Sequence, residues 1–139
     1  MKVRDAMTTS VSTANPGDSI QRVASIMKSE DVGFVPIVEG DELVGVVTDR
    51  DIVVGCVAEG HDGLLQESVS HVMTPHVESV SPDDDLKQAA DRMANEQIRR
   101  LVVVDNGRLV GVLSHGNLVQ SANGPDAAHK ATEAVTKGA

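Results

Sequence analysis

Apolar positions along this chain switch between two periodicities, and the switch happens twice. Ile20, Val23, Ala24 and Met27 fall at i, i+3, i+4 and i+7, the stripe of an amphipathic helix. Pro16-Gly17 sets a turn before it, and Asp18 with Gln21 three residues on reads as an N-cap and capping box. A β-branched run, Phe34 to Val38, then gives way to the polar turn Glu39-Gly40-Asp41-Glu42 and a second run, Leu43 to Val47. Pro36 has no backbone N–H, so its strand is expected to start there or to lie at a sheet edge. From Thr48 the pattern turns helical again. The second half repeats the order: a stripe at Leu86, Ala89, Ala90 and Met93, a run Leu101–Val104, the turn Asp105-Asn106-Gly107, and Leu109–Leu113. Asn-Gly between two apolar runs is a strong hairpin signal. Asp83, Asp84 and Asp85 precede the second stripe and read as a cap plus solvated charge at the positive end of a helix.

The two halves match residue by residue. Met7-Thr8 recurs at Met73-Thr74, Pro16 at Pro82, Met27 at Met93, and Leu43–Val46 at Leu109–Val112, every pair 66 positions apart. Between residues 7–54 and 73–120, 14 of 48 pairs are identical, too many for coincidence, and most mismatches keep their chemical class. The duplication predicts an α/β (α+β) protein of two β-α-β-β-α repeats packed with pseudo-two-fold symmetry. Two copies are too few for a solenoid, which stacks at least about three. Repeat 1 spans 1–60, a connection 61–70, repeat 2 71–121, and a polar, Ala-rich tail 122–139 reads as a short docked helix or a frayed end.

Composition narrows the partners. One Phe with no Trp or Tyr leaves an aliphatic core and no aromatic platform for single-stranded nucleic acid. A net charge of −9 argues against DNA, whose binders need a dense basic face. The single Cys56 excludes an internal disulfide and reads as packed rather than reactive. No signal-peptide pattern and no membrane-length apolar stretch is seen, so a cytoplasmic protein without membrane partners is expected. His61, His71, His76, His115 and His129 show no metal-ligand spacing, and no catalytic constellation stands out. The four repeated methionines, Met7, Met27, Met73 and Met93, read as packing.

The sharpest local signal is Gly45-Val46-Val47-Thr48-Asp49-Arg50-Asp51. A glycine inside a strand admits another backbone or a ligand at close range. Thr48 falls where strand becomes helix, beside N–H groups that attract anions. Asp51, one turn on, offers two oxygens that suit a ribose cis-diol. The same residues serve equally as a helix cap and first-turn carboxylate, and the pattern does not choose between the roles. Arg99-Arg100 precedes the second copy's central strand; strand alternation should turn one of them inward, and Arg100 is the expected one.

With the duplication, these motifs resemble the CBS domain family, in particular the stand-alone bacterial proteins made of one tandem CBS pair. The resemblance covers about residues 3–121 and rests on Asp5-Ala6-Met7-Thr8, the Asp18 helix, Val35-Pro36-Ile37-Val38 and Gly45–Asp51, each with its echo. It implies a non-enzymatic module, often dimeric, that binds adenosine-containing ligands, AMP or ATP foremost, and needs no cofactor beyond that regulatory nucleotide. Signalling would follow from a change of conformation or dimer geometry. Carried over, Thr48 is the hydroxyl contact and Asp51 the ribose carboxylate, while Val11 to Thr13 and Gly33, Val35 and Pro36 line the adenine pocket. Arg100 resembles the family's phosphate contacts. Ser114 keeps the hydroxyl in the second copy, but Asn117 replaces the expected Asp, which weakens a diol clasp there. A homodimer is expected, with the stripes Ile20/Val23/Met27 and Leu86/Ala89/Met93 as its apolar motive. The alternative is a dimerising interaction module that binds no nucleotide.

Overall fold

The computed structural model describes residues 1–60, 63–75 and 77–121. It divides into two compact units, Ser12–Val77 and Met1–Val11 joined by the described residues from Glu78 onward. The sequence repeats and the compact units are therefore offset: the leading segment of repeat 1 belongs to the unit built from repeat 2. The tail 122–139 and His61, His76 and His129 lie outside the described residues.

In the Ser12–Val77 unit the first stripe forms helix α2, Ile20–Glu30, which follows the short α1, Val3–Ala6, of the other unit. The cap differs by one residue from expectation. Ser19, not Asp18, is the N-cap and its hydroxyl accepts the Arg22 N–H at 3.1 Å. Asp18 instead turns back to accept the Asn15 N–H at 2.8 Å, closing the Pro16-Gly17 turn. The helix ends on Asp31 in the left-handed region, φ 56°, and its counterpart Gln97 ends α4, Leu86–Glu96, with the same value.

Strands β1, Phe34–Glu39, and β2, Glu42–Thr48, pair antiparallel, with Phe34 opposite Thr48 and Pro36 opposite Val46. Pro36 sits inside its strand rather than at its start, and β1 lies at a sheet edge, the other alternative its missing N–H allows. Its carbonyl accepts the Ala14 N–H at 3.1 Å and Val38 N–H donates to the Ala14 carbonyl at 2.8 Å, so this side of β1 faces Ala14. The missing N–H thus falls away from β2 and breaks no hairpin bond. The expected leading strand shrinks to that single parallel bridge between Ala14 and Ile37.

Past β2 the chain forms α3, Asp49–Ile52, and widens into a π-helical turn, Val53–Val57, that turns Cys56 inward. Ile20, Val23, Val35, Ile37 and Val47 form an all-aliphatic core with Cys56 and Val69.

The other unit repeats this plan. β3, Ser79–Val80, pairs parallel with β4, Arg100–Asp105, which pairs antiparallel with β5, Arg108–Ser114, ahead of α5, His115–Gln120. Asn106 and Gly107 close the hairpin with φ of 52° and 82°, both positive as a type I′ turn requires. Asp83, Asp84 and Asp85 divide their labour: Asp85 is the N-cap, Asp84 accepts the Ser81 N–H, and Asp83 pairs with Arg4 and Lys2.

Both helical stripes are spent inside these cores: Ile20, Val23, Leu86, Ala89 and Met93 are buried. They supply no dimer face. Val53, Val54 and Val57 are at least half exposed instead, as is Val119, which holds the repeat position of Val53. Among the described residues no helix is long and apolar enough to cross a membrane.

Candidate ligand-binding site

Gly45 is explained by backbone. A Cβ there would stand 2.8 Å from the Thr74 carbonyl oxygen and 3.0 Å from the Met73 sulfur. Val46 and Thr74 exchange main-chain bonds at 3.0 and 2.8 Å across that gap. The second repeat does the same at Gly111, where Thr8 O would be 2.7 Å and the Met7 sulfur 3.0 Å from a Cβ. Of the two readings of the strand glycine, close approach of another backbone is the one realised. Met7 and Met73 pack against the two cores, as the repeat pattern predicts.

At the end of β2, Thr48 and Asp51 form a reciprocal capping box. Asp51 N–H donates to the Thr48 hydroxyl at 3.1 Å, and Thr48 N–H donates to Asp51 Oδ2 at 2.9 Å. Two helix-start donors are satisfied by this exchange. Of the two roles open to these residues, the structure realises the cap. A carboxylate carries about four acceptor positions, so the box does not exhaust what Asp51 can accept.

The rest of the expected pocket sorts by burial. Gly33 meets the same strand end: its carbonyl accepts the Asp49 N–H at 2.9 Å, and a Cβ on it would come within 2.8 Å of the Asp49 carboxylate. Thr13 is half-buried next to the Ala14 bridge. Val35 is completely buried in the core and Pro36, the next strand residue, is buried on the opposite face, so neither side chain is open to a ligand. Val11 falls in the other unit.

The second repeat builds the same box with different chemistry. Asn117 Oδ1 accepts from Ser114 N–H at 2.8 Å and from the Ser114 hydroxyl at 3.0 Å, and Asn117 N–H donates back to that hydroxyl at 3.1 Å. Asn117 Nδ2 donates to the Thr8 hydroxyl at 3.1 Å. An amide oxygen has two lone pairs, and both are taken here. Arg99 and Arg100 are both exposed at the mouth of β4, with Arg100 opposite Ser114. The inward arginine that alternation predicts is not found. Leu101, Val102 and Val103 are all buried, so β4 has no solvent face along its centre, and the cations fall before that stretch begins.

Sequence reasoning did not foresee the Thr8–Asn117 bond or the ion pair of Arg4 with Asp83. The pair holds the Asp83 carboxyl below its ordinary range, through the Arg4 hydrogen bond first, then the charges of Arg4 and Lys2. The recurrence of Met-Thr and of the strand glycine at the same 66-residue offset marks the partners of the glycine joints without saying that they meet, but Arg4, Asp83 and Asn117 do not recur at that offset.

The sequence model of the CBS domain family matches residues 3–56 and again 69–124. The CBS domain-containing protein YhcV of Bacillus subtilis (strain 168) is 46% identical over 116 residues, 84% of this chain and 81% of that protein. Two solved structures are similar across nearly the whole of their chains. CBSX2 in complex with AMP is 28% identical with a TM-score of 0.76, covering 88% of this chain and 96% of that one. The CBS domain pair of protein MJ0100, in complex with 5-methylthioadenosine and S-adenosyl-L-methionine, is 25% identical with a TM-score of 0.73, covering 86% and 94%. Two strand-end boxes, two glycine joints and two family matches in one chain make this protein a member of the CBS domain family, built as a tandem CBS pair.

Proposed function

We propose that this CBS pair is a regulatory, non-catalytic module that binds an adenosine-containing nucleotide, AMP or ATP foremost. The observation that carries the reading is the first-repeat strand end, where Thr48, Asp51 and the Gly33 main chain meet. It gains support from similar structures whose complexes hold AMP or S-adenosyl-L-methionine. In this reading Asp51 uses its remaining acceptor positions for the ribose 2′- and 3′-hydroxyls. Thr48 contributes its hydroxyl, and Thr13, Gly33, Val35 and Pro36 offer main-chain contacts to adenine. Arg100 reads the phosphate. Ser114 and Asn117 make the poorer site, because the Asn117 oxygen already accepts twice. The protein works in the cytoplasm as a homodimer held by Val53, Val54 and Val57, and sedimentation showing only monomer at tens of micromolar would remove that dimer.

A thermal-shift panel over AMP, ADP, ATP, NAD and S-adenosylmethionine tests the reading. Ligand at about a hundred times its dissociation constant should stabilise the fold by ~2.7 kcal/mol. No shift with any of the five would leave the second reading, an interaction module without nucleotide, which the spent Asn117 oxygen favours.

A further inference from the structure

Each repeat carries a leading segment, and the two segments make the same bonds. Val3 N–H donates to Asp84 O at 2.9 Å, Arg4 N–H to Pro82 O at 2.9 Å, and Leu86 N–H to Met1 O at 2.9 Å. Moved by 66 residues on both the segment and its seat, these become Val69 N–H to Asp18 O at 2.7 Å, Ser70 N–H to Pro16 O at 3.3 Å, and Ile20 N–H to Glu67 O at 3.0 Å. The bridge Lys2–Asp85 has its twin in Ser68–Ser19, and Thr8–Val112 in Thr74–Val46. Val3 and Val69 are both completely buried, each in a different core.

The seats are crossed. Residues 1–11 complete the unit made from Glu78 onward, although they precede repeat 1 in the chain, and residues 67–75 complete the unit of repeat 1. The family match, by contrast, begins each repeat with its own leading segment, at residues 3 and 69. The compact units and the family repeats thus do not coincide. The straps also differ in charge: Arg4 pairs with Asp83, whereas Ser70 and Gly17 hold the equivalent places. The first strap is tied by charge as well as by burial, which distinguishes its seat from the other.

We propose that the leading segments are reciprocal straps, so that Met1–Thr9 stabilises the second repeat and Glu67–Thr74 the first, and neither family repeat is a cooperative unit by itself. This goes beyond nucleotide binding and does not depend on it. Stability in folded proteins is lost in contiguous cooperative units, which native-state hydrogen exchange resolves amide by amide.

The test uses the full chain without ligand. Val3→Ala removes both γ-methyl groups of a completely buried side chain from the Met93/Leu101/Leu113 core. It should lower protection of the Val102, Val103 and Val112 amides about tenfold or more, with the amides of 20–38 unchanged. Val69→Ala should do the reverse. Should Val3→Ala prevent folding, wild-type exchange in rising urea decides the matter: Thr8 should join the β4 and β5 amides, and Thr74 those of β1 and β2. Loss of protection within the strap's own repeat, or equal loss in both, overturns the proposal.

Discussion

Asp51→Ala removes one acceptor from a half-buried capping box, and its cost follows from the two bonds there. Thr48 N–H loses Asp51 Oδ2, a 2.9 Å partner, while Asp51 N–H keeps the Thr48 hydroxyl. Losing this one hydrogen bond costs about 1 kcal/mol net. Removing a carboxylate from the first turn adds about 0.3–1 kcal/mol. The sum, about 1–2 kcal/mol, should lower the melting temperature by about 2–8 °C for a chain near 150 residues. Asp51→Asn is the informative companion. In the second repeat an asparagine already holds the matching position, its Oδ1 accepting Ser114 N–H at 2.8 Å. The amide should therefore rebuild the box and lose only the charge contribution, well under 1 kcal/mol. Calorimetric melts of wild type and both variants without ligand read the difference directly. Asp51→Ala melting with wild type, or Asp51→Asn falling as far as Asp51→Ala, would refute the capping argument. A carboxylate reserved for ligand alone would leave all three melts together.

The glycine joints give a larger effect: Gly111→Ala and Gly45→Ala force a Cβ to within 2.7–2.8 Å of a carbonyl oxygen. Each should destabilise by about 1–3 kcal/mol, which urea unfolding measures; neutral variants would show that the joint yields. Asp83 titrates below its ordinary value because Arg4 and Lys2 favour the carboxylate. A depressed folded value means the stabilisation is fully present above the unfolded pKa and fades as pH falls through the folded one. Asp83→Asn should therefore be less stable than wild type near neutral pH, and the gap should close as pH falls below about 4; a gap that does not change with pH would contradict it. Arg100→Ala should weaken AMP about tenfold or more while leaving adenosine nearly unchanged, and calorimetric titration showing equal losses would end its phosphate role.

Much of the fold was readable because local chemistry and repeat position agreed. The stripes at Ile20–Met27 and Leu86–Met93, the hairpins and the Asn106-Gly107 turn all rest on patterns within a few residues of one another. The N-cap slipped from Asp18 to Ser19 because either residue can cap, and only the Asn15 N–H, set by the turn, decides which carboxylate or hydroxyl is engaged elsewhere. The failures lie where distant segments meet. Burial of the stripes inside each core, rather than at a dimer face, depends on how wide a surface each helix covers. The outward Arg100 reflects a strand buried on both sides, which alternation does not describe. At the site, the strand-end hydroxyl and carboxylate were legible as a pair, but the choice between cap and clasp is set by a 3 Å geometry that sequence does not carry. The crossed straps were marked by a shared offset and hidden by the order of the chain.

Isothermal titration of AMP and 2′-deoxy-AMP into wild type and Asp51→Asn reads the ribose contact of Asp51 itself. AMP binding should be saturable and dominated by one site per chain. The deoxy ligand should bind worse by about 1–3 kcal/mol, and this gap should shrink in Asp51→Asn while the unliganded fold holds. Absence of AMP binding to wild type, or equal affinity for the two ligands, would contradict that contact.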